Sequence, residues 1–366
     1  MPTLGDTIAA LVRQRRQIRE AEALAGQAQP SRTQPRAALI KTPDVAPNPG
    51  NLQMLSYRPV ELSGRAPLVV VLHGCTQTAA AFADGAGWPA LARRFGFALL
   101  CPEQKAINNL NRCFNWFQTG DAARGRGEAA SIRAMIARAL AQHDLDPARV
   151  FIVGLSAGGA MTSAMLACYP EVFAGGAIIA GLPYGAASNM QEAFAAMVQG
   201  VVRTGAEWGD RVRRASEYAG PWPRVSIWQG DADSTVNPLN ADEIVKQWRD
   251  VHGLGSAPPA IETGAGYRRS VWADAQGRPT IEAIRIAGLA HGAPVATTGP
   301  DGCGAAGPFL LEAGMSSSLE IARFWGLIET PAAAPAETLA PSPAGPGRGG
   351  VGGAIIKALT AVGLMK

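Results

Sequence analysis

Six short apolar runs, "LVVVLHG", "FALLCPE", "VFIVGLS", "GGAIIAG", "RVSIWQG" and "EAIRIAG", recur between about residue 51 and residue 328 without alternating apolar and polar positions. A strand with one face in water alternates, whereas a strand covered on both faces does not and needs helices to cover it. Helical spacing over 78–94, 127–142, 158–169 and 240–251 supplies those helices. The pattern predicts an α/β fold, a mostly parallel sheet flanked by helices, over 51–328. Two segments interrupt it. Residues 182–223 separate two runs by far more than an ordinary loop, which predicts a small cap insertion, and residues 267–288 read as a hairpin turning at Ala275 to Arg278.

The flanks read differently. Within residues 1–50, Leu4, Ile8, Leu11, Val12 and Ile18 fall at helical spacing opposite Arg13, Arg15, Arg16 and Arg19, which predicts a peripheral helix followed by a Pro/Gln/Ala-rich linker over 26–50. Residues 329–366 are a Pro/Ala/Gly-rich tail ending in a short apolar segment with Ile355, Ile356, Leu359 and Val362. The bland expectation for that segment is poor order; the sharper one is contact with an apolar surface. A formal net charge of +4 over 366 residues carries no nucleic-acid footprint. No apolar run reaches the roughly 18 to 20 residues that span a bilayer, and the N-terminus breaks into charge before a signal-like apolar core forms.

The five cysteines are Cys75, Cys101, Cys113, Cys168 and Cys303, with no C-x-x-C pair, so no metal centre is expected. Cys101 in a strand and Cys168 in a helix read as packing residues, and Cys303 takes no assignment. Cys75 directly follows His73 and Gly74, and the residues alone leave it open between a nucleophile, a metal ligand and a lock on its loop.

The chemistry centres on Gly154-Leu155-Ser156-Ala157-Gly158, which fits G-x-S-x-G between an apolar strand and a helical pattern. That context holds a serine hydroxyl out at a sheet edge in a strained turn, with the Ala157 N–H facing the same space. Serine is a poor nucleophile without a base. Of the four histidines, only His252 and His291 follow Ser156, and His291, in a Gly-rich loop after the last strand, is the expected base. The acid should lie between them at a strand end. "VSIWQGDADSTVNP" offers Asp231 and Asp233; Asp233 is expected to fix the tautomer of His291, and Asp231 to form the local turn. A second oxyanion donor is expected from the backbone of Cys75, in the loop that follows His-Gly. Such chemistry calls for no cofactor.

Together, "HGCTQ", "NRCFNWF", "GLSAGG", "AGLPYG", "GDADSTVNP" and "GLAHG" resemble the PHB depolymerase family of esterases, α/β-hydrolases related to feruloyl and acetylxylan esterases. The resemblance implies Ser156 as nucleophile, Asp233 as acid, His291 as base, and the Cys75 and Ala157 amides as oxyanion donors. It also implies a Cys75–Cys113 disulfide. Relatives often carry a cysteine after the Tyr-Gly of "GLPYG", where this chain has Ala186. Phe114, Trp116 and Phe117 offer apolar walls for an acyl group, with core packing as the alternative for each, and Tyr184 joins them as a substrate-binding candidate.

The expected activity is serine esterase chemistry on poly(3-hydroxybutyrate) or its oligomers, with feruloyl or acetyl groups on polysaccharide as the alternative substrate. A granule- or polysaccharide-binding protein on a hydrolase fold is the non-enzyme alternative, and the C-terminal segment is the expected polymer-granule contact. A disulfide points to periplasm or medium, and the lack of a recognisable signal points to cytoplasm.

Overall fold

The computed structural model describes residues 39–328 apart from 44, 63 and 256–258, so the expected N-terminal helix and C-terminal tail lie outside the described residues. The strands are β1 (Ile40–Thr42), β2 (Gln53–Tyr57), β3 (Leu68–Leu72), β4 (Ala98–Glu103), β5 (Val150–Leu155), β6 (Gly175–Ile179), β7 (Arg224–Gly230), β8 (Ala260–Gly264), β9 (Tyr267–Ala273), β10 (Pro279–Ile286), β11 (Ala293–Val295) and β12 (Leu310–Glu312). The helices are α1 (Ala79–Gly85), α2 (Trp88–Phe95), α3 (Thr119–Ala122), α4 (Gly127–His143), α5 (Ala157–Cys168), α6 (Met190–Gln199), α7 (Gly205–Arg213), α8 (Leu239–Val251) and α9 (Ser317–Phe324).

One sheet runs in the order β1-β2-β4-β3-β5-β6-β7-β10-β9-β8, and β11 pairs with β12 separately. From β4 through β10 every neighbouring pair is parallel. The flanking strands β1, β2, β8 and β9 are antiparallel additions. This is the α/β-hydrolase type of sheet, and its centre explains the unbroken apolar runs. Every residue of β3, β5 and β6 is buried. Within β3 the side chains alternate between two cores: Leu68, Val70 and Leu72 pack with residues of α4, α5 and α8, while Val69 and Val71 pack with residues of α1, α2 and α9. At about 25 cal/mol per Å² of apolar surface, this two-sided burial is the main stabilising term.

Three local readings change. The helical stretch 78–94 is two helices, because Gly87 takes a left-handed φ of 82° and Pro89 restarts the helix. A side chain at Gly87 would also strike the Cys303 carbonyl, its Cβ lying 2.5 Å from that oxygen. Residues 40–42, read as linker, form the edge strand β1. The hairpin of β9 and β10 is extended by β8, whose exposed "AIETG" lacks an apolar pattern.

Between β6 and β7 the chain leaves the sheet and forms α6 and α7, which are held by a buried polar stripe on α8. Asn240, Glu243 and Gln247 share one helix face and are all fully buried. Asn240 Nδ2 donates to Ala196 O at 2.9 Å, Glu243 accepts from Trp208 Nε1 at 2.7 Å and from the Arg203 N–H at 3.1 Å, and Gln247 bonds Tyr184 N–H and O at 3.0 Å each. No helix among the described residues is long and apolar enough to cross a membrane.

Candidate active site

Ser156 stands between the last residue of β5 and the first of α5, with φ 56° and ψ −117°. A non-glycine residue holds such a conformation only where its surroundings force it. Here the Ser156 N–H donates to Ile179 O of β6 at 2.9 Å. On the other side, α5 is pressed against the end of β3: a Cβ on Gly158 would lie 2.4 Å from Leu72 O and 2.5 Å from His73 O. The helix thus starts hard against the strand, and Ala157, its first residue, carries one of the N–H groups that the helix itself cannot use.

His291 and Asp233 meet Ser156 at the carboxyl ends of the parallel strands, the edge at which open α/β sheets bind ligands. Asp233 follows the end of β7 and His291 the end of β10. His291 Nε2 lies 3.0 Å from Ser156 Oγ, and His291 Nδ1 lies 2.8 Å from Asp233 Oδ2. Asp233 is buried, which pushes its pKa up, but the His291 ring and the bonds it accepts more than offset this and hold the pKa below the usual aspartate value. Oδ1 accepts the N–H groups of Thr235 (2.8 Å) and Val236 (2.9 Å), and Oδ2 accepts Gln229 Nε2 (2.9 Å). The side chain that builds the turn is therefore Asp233 itself. Asp231 is exposed and contributes its backbone N–H to Ile286 O at 3.0 Å, which corrects the expectation that its carboxylate forms the turn.

The other histidines are occupied elsewhere. His252 Nε2 meets Pro223 O at 3.1 Å, and burial pushes its pKa down to about 4. His143 ends α4. His73 is fully buried, with its own pKa pushed down to about 4 by that burial.

Cys75 and Cys113 are joined with an S–S distance of 2.07 Å, so the Cys75 sulfur is bound up in a crosslink. The crosslink ties the loop after β3 to the loop after β4, and Thr76 N–H donates across the same seam to Asn111 O at 2.6 Å. Among the described residues no group of three or more His, Cys, Asp or Glu side chains is placed to hold a metal. Cys101 and Cys168 are buried, and Cys303 Sγ lies 3.2 Å from Ser316 Oγ.

The aromatic candidates part ways. Phe117 lines an open cleft of about 410 Å³ together with Gln118, Thr119, Gly120, Ser188, Asn189 and Met190. Trp116 packs edge-on against Phe117 at 5.5 Å and joins a cluster with Ala160, Leu182, Trp208 and Val236. Tyr184 turns inward, its hydroxyl accepting from Cys168 Sγ at 3.7 Å and its backbone clasped by Gln247. Phe114 is wholly in the core, its ring 5.0 Å from that of His73. Two residues at the site went unread in the sequence. Phe309, in left-handed backbone at φ 61°, sets its ring edge-on to His291 at 5.9 Å. Gln77 bridges the two sides, accepting the Gly74 N–H at 2.9 Å and donating to Pro308 O at 3.1 Å. No sequence motif marks Phe309, whereas Gln77 closes "HGCTQ" and was visible there.

The family described as esterase PHB depolymerase matches residues 53–271. The poly(3-hydroxyalkanoate) depolymerase C of Paucimonas lemoignei is 46% identical over 293 residues, covering 80% of this chain and 70% of that protein. An acetylxylan esterase of Coprinopsis cinerea is 33% identical over 273 residues, covering 72% of this chain and 71% of its own. Among solved structures, the acetyl xylan esterase from Aspergillus awamori aligns with a TM-score of 0.68 at 24% identity, over 80% of this chain and 100% of that one, and so shares the fold.

Proposed function

The chain belongs to the esterase PHB depolymerase family and is a carboxylic ester hydrolase, and from that premise we propose that Ser156, His291 and Asp233 are its catalytic triad, acting on poly(3-hydroxybutyrate) or its oligomers. The observation that carries the assignment is the unbroken relay of 3.0 Å and 2.8 Å from Ser156 Oγ through His291 to Asp233. Ser156 Oγ attacks the ester carbonyl carbon while His291 Nε2 takes its proton. The resulting oxyanion is met by the N–H groups of Cys75 and Ala157, neither of which has an acceptor among the described residues. His291 returns the proton to the departing alkoxide, leaving an acyl-serine. Water then attacks that acyl group, His291 taking its proton and passing it to Ser156 as the acid leaves. Asp233 keeps the Nδ1–H tautomer in place and stabilises the imidazolium that forms in each half-reaction.

The polyester assignment is supported by the 46% identity to a poly(3-hydroxyalkanoate) depolymerase, and the acetylxylan esterase relative at 33% supports ester-linked acetyl groups on polysaccharide as the second reading. Clearing of a polyhydroxybutyrate suspension, run beside acetate release from acetylated xylan and hydrolysis of methyl ferulate, separates them. The polyester should clear at a rate abolished by Ser156→Ala; release of acetate or ferulate alone would reassign the substrate. A fluorophosphonate probe should label Ser156 in the folded protein, and failure to label would overturn the triad. We also propose the apolar segment after residue 350 as a polymer-granule contact; unchanged adsorption after deletion of 330–366 would refute it.

A further inference from the structure

In the loop after β3, hydrogen bonds hold each peptide group that borders the Cys75 N–H. The Gly74 N–H donates to Gln77 Oε1 at 2.9 Å. The Gly74 carbonyl oxygen accepts from His73 Nδ1 at 2.7 Å and, more distantly, from the Gln77 N–H at 3.4 Å. The Cys75 carbonyl accepts the Thr76 hydroxyl at 2.6 Å, and the Thr76 N–H donates to Asn111 O at 2.6 Å. Among the described residues the Cys75 N–H has no acceptor.

That N–H shares a peptide plane with the Gly74 carbonyl. In a trans peptide the two point in opposite directions, so a group that fixes the carbonyl also aims the N–H. His73 is that group. Its Nε2 accepts the Gln104 N–H at 3.1 Å, which requires Nε2 to be bare and places the ring proton on Nδ1, facing Gly74 O. The ring is fully buried and packs on Phe114 at 5.0 Å, so it cannot turn to a different partner without disturbing the core. Burial also pushes its pKa down to about 4, which keeps it neutral with a single N–H.

We propose that His73 is a positioning residue for ester hydrolysis: its Nδ1–H holds the Gly74–Cys75 peptide in the orientation that turns the Cys75 N–H toward the oxyanion. If the peptide turned over, a carbonyl oxygen would face the developing negative charge in place of a donor. The inference rests on the Cys75 N–H being an oxyanion donor, as proposed above.

Two isosteric substitutions divide the two bonds of the ring. Asparagine places its amide nitrogen near the position of Nδ1 and keeps the bond to Gly74 O; glutamine reaches the position of Nε2 and keeps the bond to Gln104. With p-nitrophenyl acetate as probe, His73→Asn should stay within about fivefold of the wild-type kcat, while His73→Gln should lose on the order of 10²-fold in kcat with KM little changed. Each variant loses one buried hydrogen bond, so a purely structural role would lower both alike. Equal rates in the two folded variants, or a loss confined to KM, would overturn the proposal. Ser156→Ala is the separate control: retained activity there sinks the triad itself, whereas a dead Ser156→Ala beside equal His73 variants sinks only the role of His73. Nitrogen NMR of the wild-type protein tests the same point without a variant. His73 should show a protonated Nδ1 and a bare Nε2, and the reverse tautomer would refute the clamp.

Discussion

Replacing Cys113 by serine opens the crosslink between the loops after β3 and β4 and separates two roles for Cys75. The disulfide closes a loop of sequence separation 38, for which the chain-entropy estimate is about 4 kcal/mol at 25 °C. The local bonds survive: Thr76 N–H still meets Asn111 O, Gln104 Nε2 still donates to the residue-113 carbonyl at 3.2 Å, and the Asn115 N–H still donates to Glu128 Oε2 at 2.8 Å. The Gly74–Cys75 peptide keeps its bond to His73 as well. Urea unfolding of Cys113→Ser against the oxidised wild type should therefore show a loss of about 3 to 4 kcal/mol. Hydrolysis of a p-nitrophenyl ester, measured far below the new midpoint, should keep kcat within about tenfold, since the Cys75 N–H proposed as oxyanion donor stays in place. Cys75→Ser should behave the same way in both assays. A stability loss below about 1 kcal/mol would mean that the crosslink restrains little of the unfolded chain. Complete loss of activity in a fully folded Cys75→Ser, with Cys113→Ser still active, would return the Cys75 sulfur to the reacting groups.

Asp233→Asn should lower kcat by about 10⁴ with the fold intact, because the Thr235 and Val236 N–H groups keep an oxygen at Oδ1 and force the amide nitrogen toward His291, selecting the tautomer that cannot accept the serine proton. Gly158→Ala should cost about 1 to 3 kcal/mol in thermal or urea unfolding, since its Cβ lands 2.4 Å from Leu72 O; an unchanged midpoint would mean that α5 slides freely along β3. His252→Gln keeps a donor for Pro223 O and removes a titrating ring. The folded-state pKa is about 4 against 6.5, so the unfolded chain binds the extra proton, and the stability of the wild type is intact above pH 6.5 and lost as pH falls toward 4. The wild type should lose about 3 kcal/mol more than His252→Gln across that window, or nearer 2 given partial exposure of the ring; parallel curves would refute it.

The parallel centre of the sheet was legible because two-sided burial leaves a direct mark, the unbroken runs "LVVVL" and "VFIVGL". The placement of Ser156 was legible for a similar reason: the strained turn needs small neighbours, and Gly154 and Gly158 stand there. Edge strands such as β8 leave no such mark, since an exposed strand needs no apolar pattern. The break in the 78–94 stretch was signalled by Gly87 and Pro89 but outweighed by the helical spacing around them. His73 and Phe114 were opaque for another reason. Their roles depend on Gln104, 31 residues beyond His73, and on a packing contact that no local periodicity encodes.

The buried face of α8 has a consequence for anyone who would exchange the segment between β6 and β7. Asn240, Glu243 and Gln247 bind main-chain atoms of Tyr184, Ala196, Arg203 and Trp208, most of which any sequence would present, together with the Trp208 indole. Transplanting residues 182–223 from a relative into this scaffold would thus succeed or fail on whether the guest backbone meets those three side chains. A guest that missed them would leave Gln247 unpaired and Asn240 and Glu243 with only their bonds to Asn237 O and Lys246 Nζ, at about 1 to 3 kcal/mol for each buried bond lost. The segment is a cassette whose connector lies in another helix, and the two have to be exchanged as a set.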